Sequence, residues 1–308
     1  MESHQPQDHP SHPDHPDHPG HPGRHDHSGH HDHSAAGTDA ALAELLDLDA
    51  EVMHSYLAEV TGWIRQLAAD PPPRRILDLG SGTGTGTFAL LERFGQAEMI
   101  ALDVSAEMLH RLSGKARNLG VADRIRTVQA DLDTAWPAID AVDLVWASSS
   151  LHHLADPDRV LAEVFATLRP GGLLVVAEMA SFPRFLPDDL GFGRPGLEAR
   201  CQAALDEQRA AALPHLGSDW GPRLSRAGFT IDAERPFVID LTAPLPAATG
   251  RYAQATLRRI RSGLDGRLSP DDLSALDTLT DPDGPDSVLH RTDLTVRTTR
   301  TVWAATRP

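Results

Sequence analysis

The chain has 308 residues, enough for one large α/β domain or two small ones. Its 28 basic and 44 acidic residues give a formal net charge of -16, which repels a phosphate backbone, and no basic stripe offsets it, so nucleic acid is not expected as a substrate. No apolar run approaches the roughly 18 residues of a membrane span, no apolar stretch of signal-peptide type opens the chain, and Cys201 is the single cysteine; a cytoplasmic protein without disulfides or membrane contact is expected.

Residues 1–34 are built from His, Pro, Asp and Gly, hold eleven of the 17 histidines and contain no aliphatic residue after Met1. Such a segment cannot bury enough apolar surface to offset the entropy of ordering, and a disordered tail is expected. His9, His12, His15, His18 and His21 recur every third residue, each followed by proline. In a polyproline II helix their rings would stack about 9 Å apart, too far for two to share one ion. The denser His25, His27, His30, His31 and His33 stand close enough to chelate Ni²⁺, Cu²⁺ or Zn²⁺. The alternative is an inert, solubilising tail.

Residues 35–73 form a leading helical region, with helical spacing of leucine and valine from Ala40 to Leu67 that stops at Pro71-Pro72-Pro73. Between residues 74 and 179 five short apolar runs alternate with amphipathic stretches: Ile76–Leu79, Met99–Asp103, Arg124–Val128, Val142–Trp146 and Leu173–Ala177. Repeated β-α-β predicts a doubly wound α/β fold on a mostly parallel sheet. Ser105 and Gly120 bracket one predicted helix as N-cap and C′ residue, and another spans Pro157 to Leu168, ended by Pro170-Gly171-Gly172. From residue 180 to 308 a Pro/Gly-interrupted insertion gives way to a helix over Trp220–Ala227, a strand over Thr230–Leu241, helices over Tyr252–Ser262 and Pro270–Leu279, and a last strand over Leu294–Ala304.

The first strand runs into Gly80-Ser81-Gly82-Thr83-Gly84, a loop where backbone can approach a ligand closely. A dinucleotide fingerprint from Gly80 requires Gly or Ala at Thr85 and fails; the match at Gly84, Gly86 and Ala89 falls four residues late, inside the helix. Asp103 closes the second strand at the distance where a carboxylate accepts both ribose hydroxyls in doubly wound folds, and Asp131 ends the third, where it can accept from an adenine amino group. Each alone could be a helix cap or a solvated strand end. Together, at the carboxyl ends of successive strands, they define one crevice.

Leu77-Asp78-Leu79-Gly80-Ser81-Gly82-Thr83-Gly84, Asp103, Ala130-Asp131, Val145-Trp146-Ala147-Ser148 with Leu151-His152-His153-Leu154, and Leu168-Arg169-Pro170-Gly171-Gly172 form five ordered motifs. In these the chain resembles the class I S-adenosylmethionine-dependent methyltransferases of small-molecule type. The resemblance implies a Rossmann-like, seven-stranded sheet with the last strand antiparallel, and leading helices that cap the cofactor. It implies S-adenosyl-L-methionine bound by Asp78, Gly80, Ser81, Gly82, Gly84, Asp103, Val104, Met108, Asp131, Leu132, Ala147 and Ser148. The loop would face the methionine moiety, Asp103 the ribose and Asp131 the adenine.

Methyl transfer from a sulfonium is an in-line displacement that mainly needs alignment and exclusion of water. Where the acceptor must lose a proton, His152 and His153 after the fourth strand are the candidate bases, with His153 favoured for a polar role and Glu178 as a second candidate. Helix capping or packing beneath the cofactor is the plainer reading of the two rings. Ser148-Ser149-Ser150-Leu151 stands where amino-methylating nucleic-acid enzymes of this fold carry an Asn/Asp-Pro-Pro-aromatic run, which leaves a small-molecule acceptor as the expectation. Phe182, Phe185, Leu186, Leu190, Phe192 and Leu197 in the insertion could line its pocket or simply pack, and Tyr56 and Trp63, seven apart on one helix face, read as core before acceptor platform. The alternative function is a metal-binding protein that uses the tail, with the folded domain as a nucleoside sensor.

Overall fold

Apolar strands covered on both faces demand helices on both sides, and the computed structural model, which describes residues 32–68 and 70–308, provides them. Two leading helices, α1 (Asp32–Val52) and α2 (His54–Leu67), precede β1 (Arg75–Leu79), α3 (Thr85–Arg93), β2 (Glu98–Asp103) and α4 (Ala106–Asn118). Then come β3 (Ile125–Gln129), β4 (Val142–Ser148), α5 (Pro157–Thr167) and β5 (Leu168–Met179). The remainder is α6 (Leu197–Ala212), α7 (Gly221–Arg226), β6 (Thr230–Leu241), α8 (Thr249–Gly263), α9 (Pro270–Thr280) and β7 (Val296–Thr306).

The seven strands form one sheet in the order β3-β2-β1-β4-β5-β7-β6. β1 to β5 pair in parallel, and β7 inserts between β5 and β6, antiparallel to both. The strand order reverses between β1 and β4, so a crevice opens at their carboxyl ends. One core lies between the sheet and α1, α2, α3, α6, α8 and α9, with Tyr56, Leu90, Trp146, Cys201, Tyr252 and Leu276 among its buried residues. A second core under α5 and α7 contains Val160, Leu161, Trp220 and Leu224.

The caps behave as their residue types dictate. Ser105 accepts from the Met108 N–H at 3.3 Å and starts α4. At its other end Gly120 takes φ +68° and the Val121 N–H returns to the Ala116 carbonyl at 3.0 Å. Asp156 accepts from the Arg159 N–H at 3.0 Å ahead of Pro157.

Three features differ from the sequence expectation. α1 begins at Asp32, within the last residues of the segment read as tail. The Leu168–Gly172 stretch is part of β5: Leu168 pairs with Val142 and the register then shifts before Leu144, which lets Pro170 and two glycines sit in an irregular strand start. α6 stands where only an interrupted insertion is expected; its buried apolar residues, Leu197, Cys201 and Leu205, form a stripe a single residue wide among alanines and charges, with Glu198 buried beside it. No helix among the described residues is long and apolar enough to cross a membrane.

Candidate functional site

The glycine loop is tied to the neighbouring strand before any ligand is considered. The Gly80 and Ser81 N–H groups both donate to the Leu102 carbonyl at 2.9 Å, and Gly80, Gly82 and Gly84 take φ of +74°, +52° and +93°. A Cβ on Gly80 would lie 2.5 Å from Ser150 Cβ, so that position admits only glycine. From the end of β2, Asp103 accepts the Gly82 N–H at 2.8 Å on Oδ2 and the Ser105 N–H at 2.9 Å on Oδ1. Each oxygen retains a further lone pair, enough for two hydroxyl donors.

The other expected cofactor residues fall around this centre. Val104 leaves 61% of its surface exposed, an apolar side chain directly after Asp103. Asp131 caps its own turn, accepting from the Asp133 N–H at 2.9 Å and the Thr134 hydroxyl at 3.0 Å, while Leu132 behind it is buried. Met108 and Ala147 are buried and Ser148 ends β4. Asp78 is buried between β1 and α3, accepting from the Thr87 hydroxyl at 2.6 Å, and burial pushes its carboxyl pKa up to about 7. It supports the loop from the strand side. The late fingerprint at Gly86 and Ala89 lies inside α3, where Gly86 packs against the Trp146 indole.

The carboxyl end of β4 holds features the sequence does not announce. Ser149 adopts φ +51°, rare for a residue with a Cβ, and its N–H donates to the Ala177 carbonyl at 2.8 Å. Ser150 donates to the Leu79 carbonyl at 2.8 Å and so fills the space beside Gly80. The chain then turns so that Glu178, at the end of β5, accepts the Ser150 and Leu151 N–H groups at 3.1 and 2.9 Å on Oε1 and meets His152 Nδ1 at 2.6 Å on Oε2. Both side chains are buried.

The geometry sets the two rings apart. His152 makes the polar contact, whereas His153 stacks on it with ring centroids 4.1 Å apart and turns outward. Partial desolvation, followed by the neighbouring His152 ring, lowers the His153 pKa. The short helical turn at Leu151–His153 sets which ring points inward, and two consecutive histidines do not reveal that phase.

α1 closes over the loop. Its Asp39 accepts from the Ser105 hydroxyl at 2.9 Å, and Asp47 accepts from the Thr83 hydroxyl at 2.6 Å and pairs with Lys115 at 2.5 Å. Leu46 faces Gly82. The hydroxyls of Ser81, in the loop, and Ser149, after β4, are buried without a hydrogen-bond partner. Two orphaned hydroxyls, a glycine cradle, and a carboxylate with spare lone pairs beside an exposed apolar residue fit a polar nucleoside ligand carrying an amino-acid arm.

On the acceptor side the expected insertion residues resolve as packing: Phe185, Leu186, Leu190 and Leu197 are buried in the first core, with Phe182 and Phe192 partly buried against it. Tyr56 and Trp63 do share a face, each edge-on to Phe237 with centroids 5.5 and 6.1 Å away. The unexpected residue is Arg300 of β7, opposite Met179 of β5 and fully inside the protein, paired with Asp49 of α1 at 2.6 Å. Of the tail ligands, His25, His27, His30 and His31 lie outside the described residues, and His33 is described only as part of the α1 backbone. Among the described residues no group of three or more His, Cys, Asp or Glu side chains is arranged to hold a metal ion.

Residues 76–172 match a family model described as a methyltransferase domain. The chain is 42% identical over 106 residues to the trans-aconitate 2-methyltransferase of Acidovorax sp. (strain JS42), covering 34% of this chain and 38% of that protein. It is 38% identical over 176 residues to a malonyl-acyl-carrier-protein O-methyltransferase of Laribacter hongkongensis, covering 53% of this chain and 54% of that protein. The matches thus span about half or less of these relatives' lengths. A solved Bacillus halodurans protein classed as a methyltransferase shares the fold with a TM-score of 0.51 and 17% identity, over 80% of this chain and 98% of that one. The sheet order and the loop geometry agree with the methyltransferase-domain match over residues 76–172, on a Rossmann-like fold.

Proposed function

We propose that the chain is an S-adenosylmethionine-dependent methyltransferase acting on a small-molecule acceptor. The observation that carries this reading is Asp103, poised at the carboxyl end of β2 with both oxygens anchored by backbone N–H groups of the glycine loop and α4. Asp103 would hold the ribose, Val104, Asp131 and Leu132 the adenine, and Gly80 to Gly84 with Ser81 the amino-acid arm. When bound, the cofactor supplies a methyl group already activated on a sulfonium.

The chain's own residues then align and enclose. α1 excludes water through its contacts with Thr83, Lys115 and Ser105. Glu178 fixes the His152 ring by engaging Nδ1, which leaves Nε2 as the nitrogen that accepts a proton from the acceptor. Glu178 also receives two backbone N–H groups and is thereby held in place itself. Two relatives are named for trans-aconitate and for malonyl-[acyl-carrier protein], which supports an acceptor that presents a small acid or acyl group.

The test is a thermal-shift and calorimetric titration with S-adenosylhomocysteine, since a ligand that binds only the native state raises the melting temperature. Wild type should bind in the micromolar range and D103A should lose at least about 100-fold in affinity, the worth of two charge-assisted hydrogen bonds. Equal binding by D103A, or protection by NAD in its place, would overturn the reading.

A further inference from the structure

Four polar side chains from four elements meet near the carboxyl end of β5 and have no part in the cofactor contacts described above. Asp49 of α1 accepts on Oδ1 from the Tyr252 hydroxyl of α8 and from Arg300 Nη2 of β7, both at 2.6 Å. Tyr56 of α2 lies under the guanidinium, with Arg300 Cζ 5.2 Å from its ring centroid. Arg300 and Tyr56 are 6% and 7% exposed.

The cluster is incompletely satisfied in a particular way. Arg300 Nε is buried without a hydrogen-bond partner, and the Tyr56 hydroxyl, also short of a well-formed hydrogen bond, interacts with the same guanidinium. Asp49 offers the guanidinium one oxygen at one nitrogen, and that same oxygen also serves Tyr252. A guanidinium presents Nε and Nη as a fork matched to both oxygens of a carboxylate. If Arg300 only stapled α1 to the sheet, the fork would be expected to close on Asp49; a buried donor left unmade costs about 1–3 kcal/mol.

The location gives the open valence a use. Arg300 pairs with Met179, one residue beyond Glu178, so the guanidinium sits at the carboxyl end of β5 near the end that bears the His152–Glu178 pair. Burial pushes the Tyr56 pKa up to about 12, with Arg300 opposing the shift and Asp49 adding to it. Tyr56 therefore stays a neutral donor at any physiological pH.

We propose that Arg300 and Tyr56 form an anion subsite for a carboxylate-bearing acceptor, and that Asp49 occupies it as an internal stand-in while α1 is closed. The incoming carboxylate bonds Arg300 Nε and Nη2 together and takes the Tyr56 hydroxyl, displacing Asp49. The name acceptor rests on the methyltransferase reading; the subsite rests on its own geometry. A free polycarboxylic acid and an acyl thioester that keeps a free carboxylate share the chemistry recognised.

The test titrates the full chain calorimetrically, with and without saturating S-adenosylhomocysteine. The probes are trans-aconitate, malonyl-N-acetylcysteamine and the neutral trimethyl ester of trans-aconitate. At least one acid should bind and the ester should not; which acid binds identifies the source. R300K, which keeps the charge and loses the fork, should weaken acid binding about 10-fold, and Tyr56→Phe about 3-fold. D49N should tighten it several-fold because the internal competitor is weakened. D49N and Tyr56→Phe leave the guanidinium in place and decide the question should R300K fail to fold. Acid and ester binding alike, no binding of either acid, or an acid affinity unmoved in D49N and Tyr56→Phe would overturn the subsite. Loss of S-adenosylhomocysteine binding by the wild type would strike the methyltransferase reading alone, because the acid titration without it still reads Arg300.

Discussion

Replacing Asp78 by asparagine should change how the stability of the fold depends on pH. The Asp78 carboxyl is buried under the glycine loop with the Thr87 hydroxyl as its hydrogen-bond donor, and burial lifts its pKa from 3.8 to about 7. In the unfolded chain it returns to the ordinary value, so between pH 4 and 7 the folded state binds the extra proton. Stability contributed by that proton is fully present below pH 4 and is lost as pH rises through 7. At about 1.4 kcal/mol per pKa unit the whole penalty is about 4 kcal/mol, of which about 2.5 kcal/mol accrues between pH 5 and pH 8. Asn at this position can still accept from Thr87 and never ionises. The stability of D78N relative to wild type, measured by urea denaturation, should therefore improve by about 2.5 kcal/mol from pH 5 to pH 8. A difference independent of pH would refute the burial argument. Cofactor binding gives a second readout: a cation brought near the loop favours the Asp78 anion, and calorimetry in two buffers at pH 6.5 should register proton release on binding S-adenosylmethionine that D78N lacks.

Three further outcomes follow from single contacts. E178Q keeps an oxygen for the Ser150 and Leu151 N–H groups but withdraws the charge from His152, so kcat should fall at least about 10-fold, with S-adenosylhomocysteine affinity unchanged in calorimetry. G86A gains about 1 kcal/mol of helix propensity, yet its Cβ would stand 2.3 Å from Trp146 Nε1 and 3.2 Å from Asp78 Oδ2; overpacking of about 1–3 kcal/mol against that buried indole wins, and a thermal melt should show a lower Tm than wild type. Cys201 is buried and its thiol is pushed up to about 12 by that burial, so a chromogenic disulfide reagent should leave it untouched at pH 8 until urea unfolds the chain.

Much of the fold is legible because interior parallel strands must be apolar on both faces, and runs such as Met99–Leu102 and Leu173–Ala177 stand out against their flanks. The glycine loop and Asp103 are legible for a different reason: the loop conformation needs glycine at Gly80, and the carboxylate that pins it falls at a fixed distance along the chain. What escapes is phase and long-range company. Whether His152 or His153 faces Glu178 depends on one short turn, and α6 hides because its core stripe is one residue wide. Arg300 meets Asp49 across 251 positions of sequence, and no local spacing encodes that meeting.

Those long-range contacts share one element. α1 reaches the donor loop through Asp47 and α4's N-terminus through Asp39, and it reaches the acceptor side through Asp49. The donor ligand beneath it must wait for the helix to lift, so for that ligand α1 controls rates more than affinity. Asp47 is about one-third exposed, as is its partner Lys115, so their ion pair contributes at most about 1 kcal/mol in solvent; the bond to Thr83 adds a similar amount. Replacing Asp47 by alanine should therefore raise the association and the dissociation rate of S-adenosylhomocysteine together, each by about 5- to 30-fold, and leave the dissociation constant within about threefold. Stopped-flow fluorescence would follow both rates. If only dissociation accelerates, Asp47 is holding the bound state and α1 is part of the binding surface; if neither rate moves, the helix is no barrier to entry.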